Sequence, residues 1–236
     1  GFYSAGFLIV NAYVGMIFSA MSTDYFPRLA AINTDNKKMN MAVNQQADVA
    51  ILLITPVIVL FLSFAPVVVE LLYSSKFNII IGFVTFGVLG TFFKAVSFSL
   101  GYVIIAKGHS KVFITLSVVF NSVFLIISII SYNIGGLTGL GIGFLIYYFL
   151  HFIVLKVLTN YLYQIRFSRG FYRTFLICAI ICCSCFMATL IETVYIRYLL
   201  MLVLIIFSLL YTLKQFDKKM DLKLFLKSIF QKETKD

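Results

Sequence analysis

An all-α membrane protein of about seven transmembrane helices is what this sequence predicts, on three observations. Hydrophobic residues make up 61% of the 236 and charged residues 12%, with a mean hydropathy of +1.02, far less polar surface than a soluble domain shows to water. Seven stretches, about 2–22, 49–73, 79–106, 111–132, 137–158, 171–192 and 194–213, stay apolar over the ~20 residues that a bilayer-crossing helix needs. No stretch sustains the alternation of a membrane β-barrel strand.

Each span has a local reason for its bounds. The first runs up to the polar Ser22-Thr23-Asp24, and a long loop of about Thr23 to Asp48 is expected after it. The second contains Pro56 and Pro66; proline removes a backbone donor and kinks a helix, which reads either as a transport hinge or as a packed kink. The uncharged run from Val112 to Leu155 divides at Asn133-Ile134-Gly135-Gly136, a turn-type sequence. The sixth holds all four cysteines, Cys178, Cys182, Cys183 and Cys185. They read as small buried hydrophobes, since the C-x-x-C of Cys182 and Cys185 lacks further ligands and polar access. The last span is the shortest, with Arg197 snorkelling to the interface. The tail from Asp221 to Phe230 spaces Leu222, Phe225, Leu226 and Ile229 against Lys223 and Lys227, as an amphipathic surface helix or a solvated end.

Charge orients the spans. Of 19 Lys and Arg, all but Lys76, Lys94 and Arg197 fall in the loops after spans one, three and five or in the tail. By the positive-inside rule those loops and the C-terminus are cytoplasmic, and Gly1 lies outside. An outward start within an apolar span, without a signal peptide, reads as the C-terminal part of a longer protein. The net charge of +10 does not point to nucleic acid, because the cations sit in short blocks between apolar runs.

Lys94 is the one charge between Lys76 and Lys107. An ammonium in hydrocarbon costs roughly 2.5–3.5 kcal/mol at a helix centre, so such a residue faces a bundle interior or a wet cavity. It lines a cavity or pairs with a carboxylate, although Glu70, Glu192 and Asp48 all belong near the membrane surfaces. At helical spacing it shares a face with Gly87, Gly90, Thr91, Ser97 and Gly101. Similar stripes run through span one (Ser4, Asn11, Gly15, Ser19), span four (Ser117, Asn121, Ser128, Ser131) and span five (Gly139, Gly143, Tyr147, His151). Small and polar residues of this kind either pack helices closely or converge on one cavity. The sequence holds no paired intramembrane carboxylates, no His-Glu-x-x-His, no G-x-S-x-G and no P-loop, so a transporter rather than an enzyme is expected, with no cofactor. A positive charge at depth favours an anionic substrate.

Several segments resemble a known family. Gly1-Phe2-Tyr3-Ser4-Ala5 and Phe26-Pro27-Arg28-Leu29-Ala30 resemble the start of the second bundle in bacterial lipid-linked oligosaccharide flippases. So do Pro66-Val-Val-Val-Glu-Leu-Leu-Tyr and Ala106-Lys107-Gly108-His109-Ser110-Lys111. These flippases are the O-antigen translocase or polysaccharide transporter branch of the multidrug/oligosaccharidyl-lipid/polysaccharide exporter superfamily. The resemblance implies a two-bundle exporter of fourteen helices with both termini in the cytoplasm. On that scheme residues 1–160 are the second bundle, 161–213 are two extra C-terminal helices and 214–236 are a basic cytoplasmic tail. The implied activity is translocation of undecaprenyl-pyrophosphate-linked O-antigen or capsule repeat units across the bacterial inner membrane by alternating access. Lys94 would attract the pyrophosphate or an acidic sugar, and Asn11, Asn121, Thr91, Ser97 and Tyr147 would bond hydroxyls. Pro56 and Pro66 would be hinges. Partners implied are the lipid-linked oligosaccharide, membrane lipids and polysaccharide polymerase machinery. A multidrug-type exporter and a membrane enzyme of polysaccharide assembly are the alternatives.

Overall fold

The computed structural model describes residues 1–220, so the reading of the tail from Asp221 onward lies outside the described residues. Within them every regular element is a helix, and six helices are long and apolar enough to cross a membrane. Helix α1 (Phe2–Leu8), a π-helical turn (Ile9–Tyr13) and α2 (Val14–Ala31) join into the first of these. Helix α3 (Asn36–Leu72) follows; after a 3-10 turn (Ser75–Ile80) come α4 (Ile81–Ala106), α5 (Ser110–Tyr163), α6 (Arg169–Thr189) and α7 (Val194–Met220).

Helix α5 is two crossings, not one. Gly135 and Gly136 leave the helical region, Gly136 at φ 56° and ψ −139°, a conformation that a side chain disfavours. The chain folds back there into an antiparallel pair. Phe124 meets Phe144 at 5.0 Å, Phe120 meets His151 at 4.2 Å, and at the open end His109 Nδ1 lies 2.8 Å from the Tyr163 hydroxyl. The two arms correspond to the expected spans 111–132 and 137–158, which gives about seven crossings.

The expected loop of about Thr23 to Asp48 is corrected by the structure. Helix α2 continues to Ala31 and α3 begins at Asn36, leaving a four-residue turn at 32–35. Hydropathy marks where the hydrocarbon ends, whereas a helix ends where its backbone bonds are capped. The 37 residues of α3 reach about 55 Å, well past the ~30 Å apolar core. Its polar first turns are held by Asp35, whose carboxylate accepts the Lys37 and Lys38 amides, each at 3.0 Å. The Lys38 amide above all, then that of Lys37 and the Lys38 ammonium, hold the Asp35 carboxyl below its ordinary range.

Helix α3 is the central strut, packing against α4 and also against α6 and α7. Proline 56 shows how. Lacking an N–H, it frees the Leu52 carbonyl four residues earlier, and the Thr212 hydroxyl of α7 donates to that carbonyl at 3.0 Å. A backbone acceptor that would be stranded in hydrocarbon is satisfied by a neighbouring helix. Pro56 therefore marks a docking point between α3 and α7 in this conformation.

At the basic end, two asparagines of α3 hold the linker into α6. Asn40 Oδ1 accepts the Arg166 amide at 2.8 Å; Asn44 accepts the Ser168 amide at 2.7 Å and donates to the Arg166 carbonyl at 2.9 Å. Lys107 likewise donates to the Asn33 carbonyl and to Asn36 Oδ1, closing the α4–α5 turn onto the α2–α3 turn. Asn44→Ala is expected to lower stability by about 1 kcal/mol, since water can reach the linker groups it strands. It should also speed amide exchange at Arg166 and Ser168, while exchange in the core of α3 stays slow.

Candidate functional site

Lys94 lies near the midpoint of α4, and what meets it comes from the far end of the sequence order. Asn11 sits in the π-helical turn, a widened stretch of backbone often found at functional positions. The Asn11 amide nitrogen approaches the Phe7 carbonyl at 3.4 Å, leaving Oδ1 as an acceptor. Lys94 Nζ donates to that oxygen at 3.0 Å, and the Tyr148 hydroxyl of α5 donates to it at 3.2 Å. The ammonium also stands over the Tyr148 ring at 5.2 Å and the Phe18 ring at 5.9 Å. Among the described residues no carboxylate pairs with it. The site thus solvates a cation with neutral dipoles and ring faces and keeps its positive charge uncancelled.

Beside this group lies a cavity of about 410 Å³ between α2, α4 and both arms of α5. Its polar lining is Lys94, Ser97, Tyr102, Ser117, Tyr148 and His151; most of the remainder is aromatic or aliphatic, including Phe18, Phe98, Phe113 and Phe120. His151 lies about midway along the second arm of α5. Its ring packs on Phe120, and its buried Nδ1 has no hydrogen-bond partner among the described residues. Such a chamber can hold an anion at Lys94 and lay flat or apolar groups along its rings.

The residues singled out from sequence divide into three groups. Lys94 and Asn11 meet directly, and Ser97 lines the cavity with its hydroxyl donating to the Phe93 carbonyl at 3.0 Å. Thr91 is fully buried and bonded to Val88 of its own helix, away from the cavity. Asn121 is exposed and donates to the Ser117 carbonyl one turn back at 2.8 Å, and Tyr147 packs on Phe124 at 4.9 Å. The stripe of Gly139 and Gly143 closes the α5 hairpin against Ser131. Sequence reasoning missed Tyr148. Its signal was the Phe144–Tyr148–Phe152 row at i, i+4, the edge of the same face that carries His151.

One comparison with known proteins bears on this geometry. Residues 1–82 match a family model described as "Polysaccharide biosynthesis protein". No curated protein and no solved structure matches the chain. The matched stretch carries α1 to α3 and the start of α4, and with it Asn11; Lys94 and the α5 hairpin lie beyond it. The match and the six membrane-length helices support a multi-pass membrane protein of polysaccharide biosynthesis or transport.

Proposed function

We propose that this chain is the C-terminal half of a flippase that moves a lipid-linked oligosaccharide from the cytoplasmic to the periplasmic leaflet of the bacterial inner membrane by alternating access. The observation that carries the reading is the uncancelled ammonium of Lys94 beside a cavity in mid-membrane. A buried charge that has no counter-ion among the described residues suits a ligand that brings one, and a pyrophosphate or an acidic sugar does so. The family match over residues 1–82 fits a role in polysaccharide biosynthesis or transport, and the aromatic walls suit sugar rings. On this reading the repeat unit is an O-antigen or capsule unit, and a second bundle closes the chamber.

The full-length protein, reconstituted in vesicles loaded on one face with undecaprenyl-pyrophosphate oligosaccharide, is expected to expose the glycan to a lectin on the other face. Empty vesicles should not. No movement of the glycan, together with altered drug sensitivity in a deletion strain whose polymers are intact, would select the multidrug-exporter reading instead.

A further inference from the structure

At the end opposite the basic loops, α3, α4, α6 and α7 meet around a second cleft of about 270 Å³. Arg197 and Tyr198 of α7, Thr85 of α4 and Thr189 of α6 line it, with Pro66 and Met201 among its apolar members. An arginine in the first turn of a transmembrane helix ordinarily extends into the headgroup region. Arg197 instead lies half-buried in a crevice between helices, its guanidinium 5.2 Å from the Tyr198 ring. Guanidinium has five N–H donors and no acceptor. Among the described residues no carboxylate pairs with it, although Glu70 and Glu192 stand exposed at the same end.

The surrounding hydroxyls sharpen the point. Thr189 spends its donor on the Phe186 carbonyl at 2.6 Å, but the hydroxyls of Thr85 and Tyr198 have no partner among the described residues. Helix α7 starts at Val194, so the positive end of its dipole falls within a turn of Arg197. A guanidinium and two unpartnered hydroxyls therefore gather here with no carboxylate paired to the cation among the described residues, in a space of about 270 Å³. That is room for a phosphate headgroup and too little for an oligosaccharide.

We propose that this cleft binds the phosphate of an anionic phospholipid from the leaflet at this end. The guanidinium fork takes two phosphate oxygens and the Thr85 and Tyr198 hydroxyls bond the others, while the acyl chains leave along the apolar lining. The bound lipid ties α7 to α3 beside Pro66. The site stands apart from the Lys94 cavity and does not rest on the flippase reading.

Native mass spectrometry of the delipidated full-length protein, titrated with phosphatidylglycerol, tests this. One lipid is expected to bind more tightly than the rest. Arg197→Gln should weaken it by about tenfold or more, and Arg197→Lys by less, as the loss of a forked, charge-assisted contact predicts. Thr85→Val with Tyr198→Phe keeps the charge and should weaken binding several-fold, which guards against a misfolded Arg197→Gln. Lys76→Gln, an exposed cation at the same end, should change nothing. Unchanged affinity in both the Arg197→Gln and the hydroxyl variants overturns the proposal, as does an equal loss in Lys76→Gln. Displacement of the lipid by equimolar inorganic phosphate also overturns it, in favour of a free anion.

Discussion

On the flippase reading proposed above, replacing Lys94 by methionine is expected to abolish transport while leaving the protein as stable as before, whereas Asn11→Leu should destabilise it by about 2–3 kcal/mol. The asymmetry follows from who is left unpaired. Methionine fills much the same volume and removes the ammonium, so Asn11 Oδ1 keeps the Tyr148 hydroxyl as its donor. Leucine at position 11 removes the acceptor shared by Lys94 and Tyr148, stranding a cation and a hydroxyl together. The double variant Asn11→Leu/Lys94→Met should regain much of the lost stability and none of the transport. Thermal unfolding of the full-length protein, read beside surface-polymer assembly in a deletion strain, separates the two effects. Normal polymer assembly by a stably inserted Lys94→Met protein would remove Lys94 from the mechanism.

Lys94 and Asn11 were each legible in the sequence because a charge or an amide in hydrocarbon is costly whatever the fold. Their meeting was not, since they are 83 residues apart and the contact depends on how each helix is rotated. Helical spacing gives a residue's face only to within a residue or so, and that is the difference between Tyr147 and Tyr148. The π-helical turn at Ile9–Tyr13 re-aims Asn11 in a way that no 3.6-residue pattern contains. The seven crossings were legible because their length is set by the bilayer, including the division of α5 at its two glycines. The helical turns beyond the hydrocarbon, over residues 23–31 and 36–48, were hidden by their polarity. Pro56 was visible as a break in the bonding ladder. Its use depended on Thr212, 160 residues beyond the Leu52 whose carbonyl it bonds.

Gly141→Val is expected to be among the most damaging single changes in the chain, destabilising it by about 3 kcal/mol or more. A Cβ at position 141 would lie 2.7 Å from the Phe83 carbonyl oxygen and 2.8 Å from its Cα. Both are backbone atoms of a helix, so no rotamer change relieves the clash and α4 must move away from α5. That seam is continuous: Phe83 and Phe144 rings meet across it at 5.2 Å, and a Cβ on Gly90 would stand 3.2 Å from the Leu145 Cα. Lys94 and Tyr148 sit one turn further along the same seam, so parting the helices also separates the cation from the hydroxyl that shares its acceptor. Gly141→Val should therefore lower both the melting temperature and transport, where Lys94→Met lowers transport alone. Gly15→Ala, which meets no other atom within 4 Å, should do neither. Circular dichroism melts of the three purified full-length variants, read beside surface-polymer assembly in a deletion strain, distinguish these cases. An unshifted melt for Gly141→Val would mean that α4 and α5 do not touch at this point in the membrane.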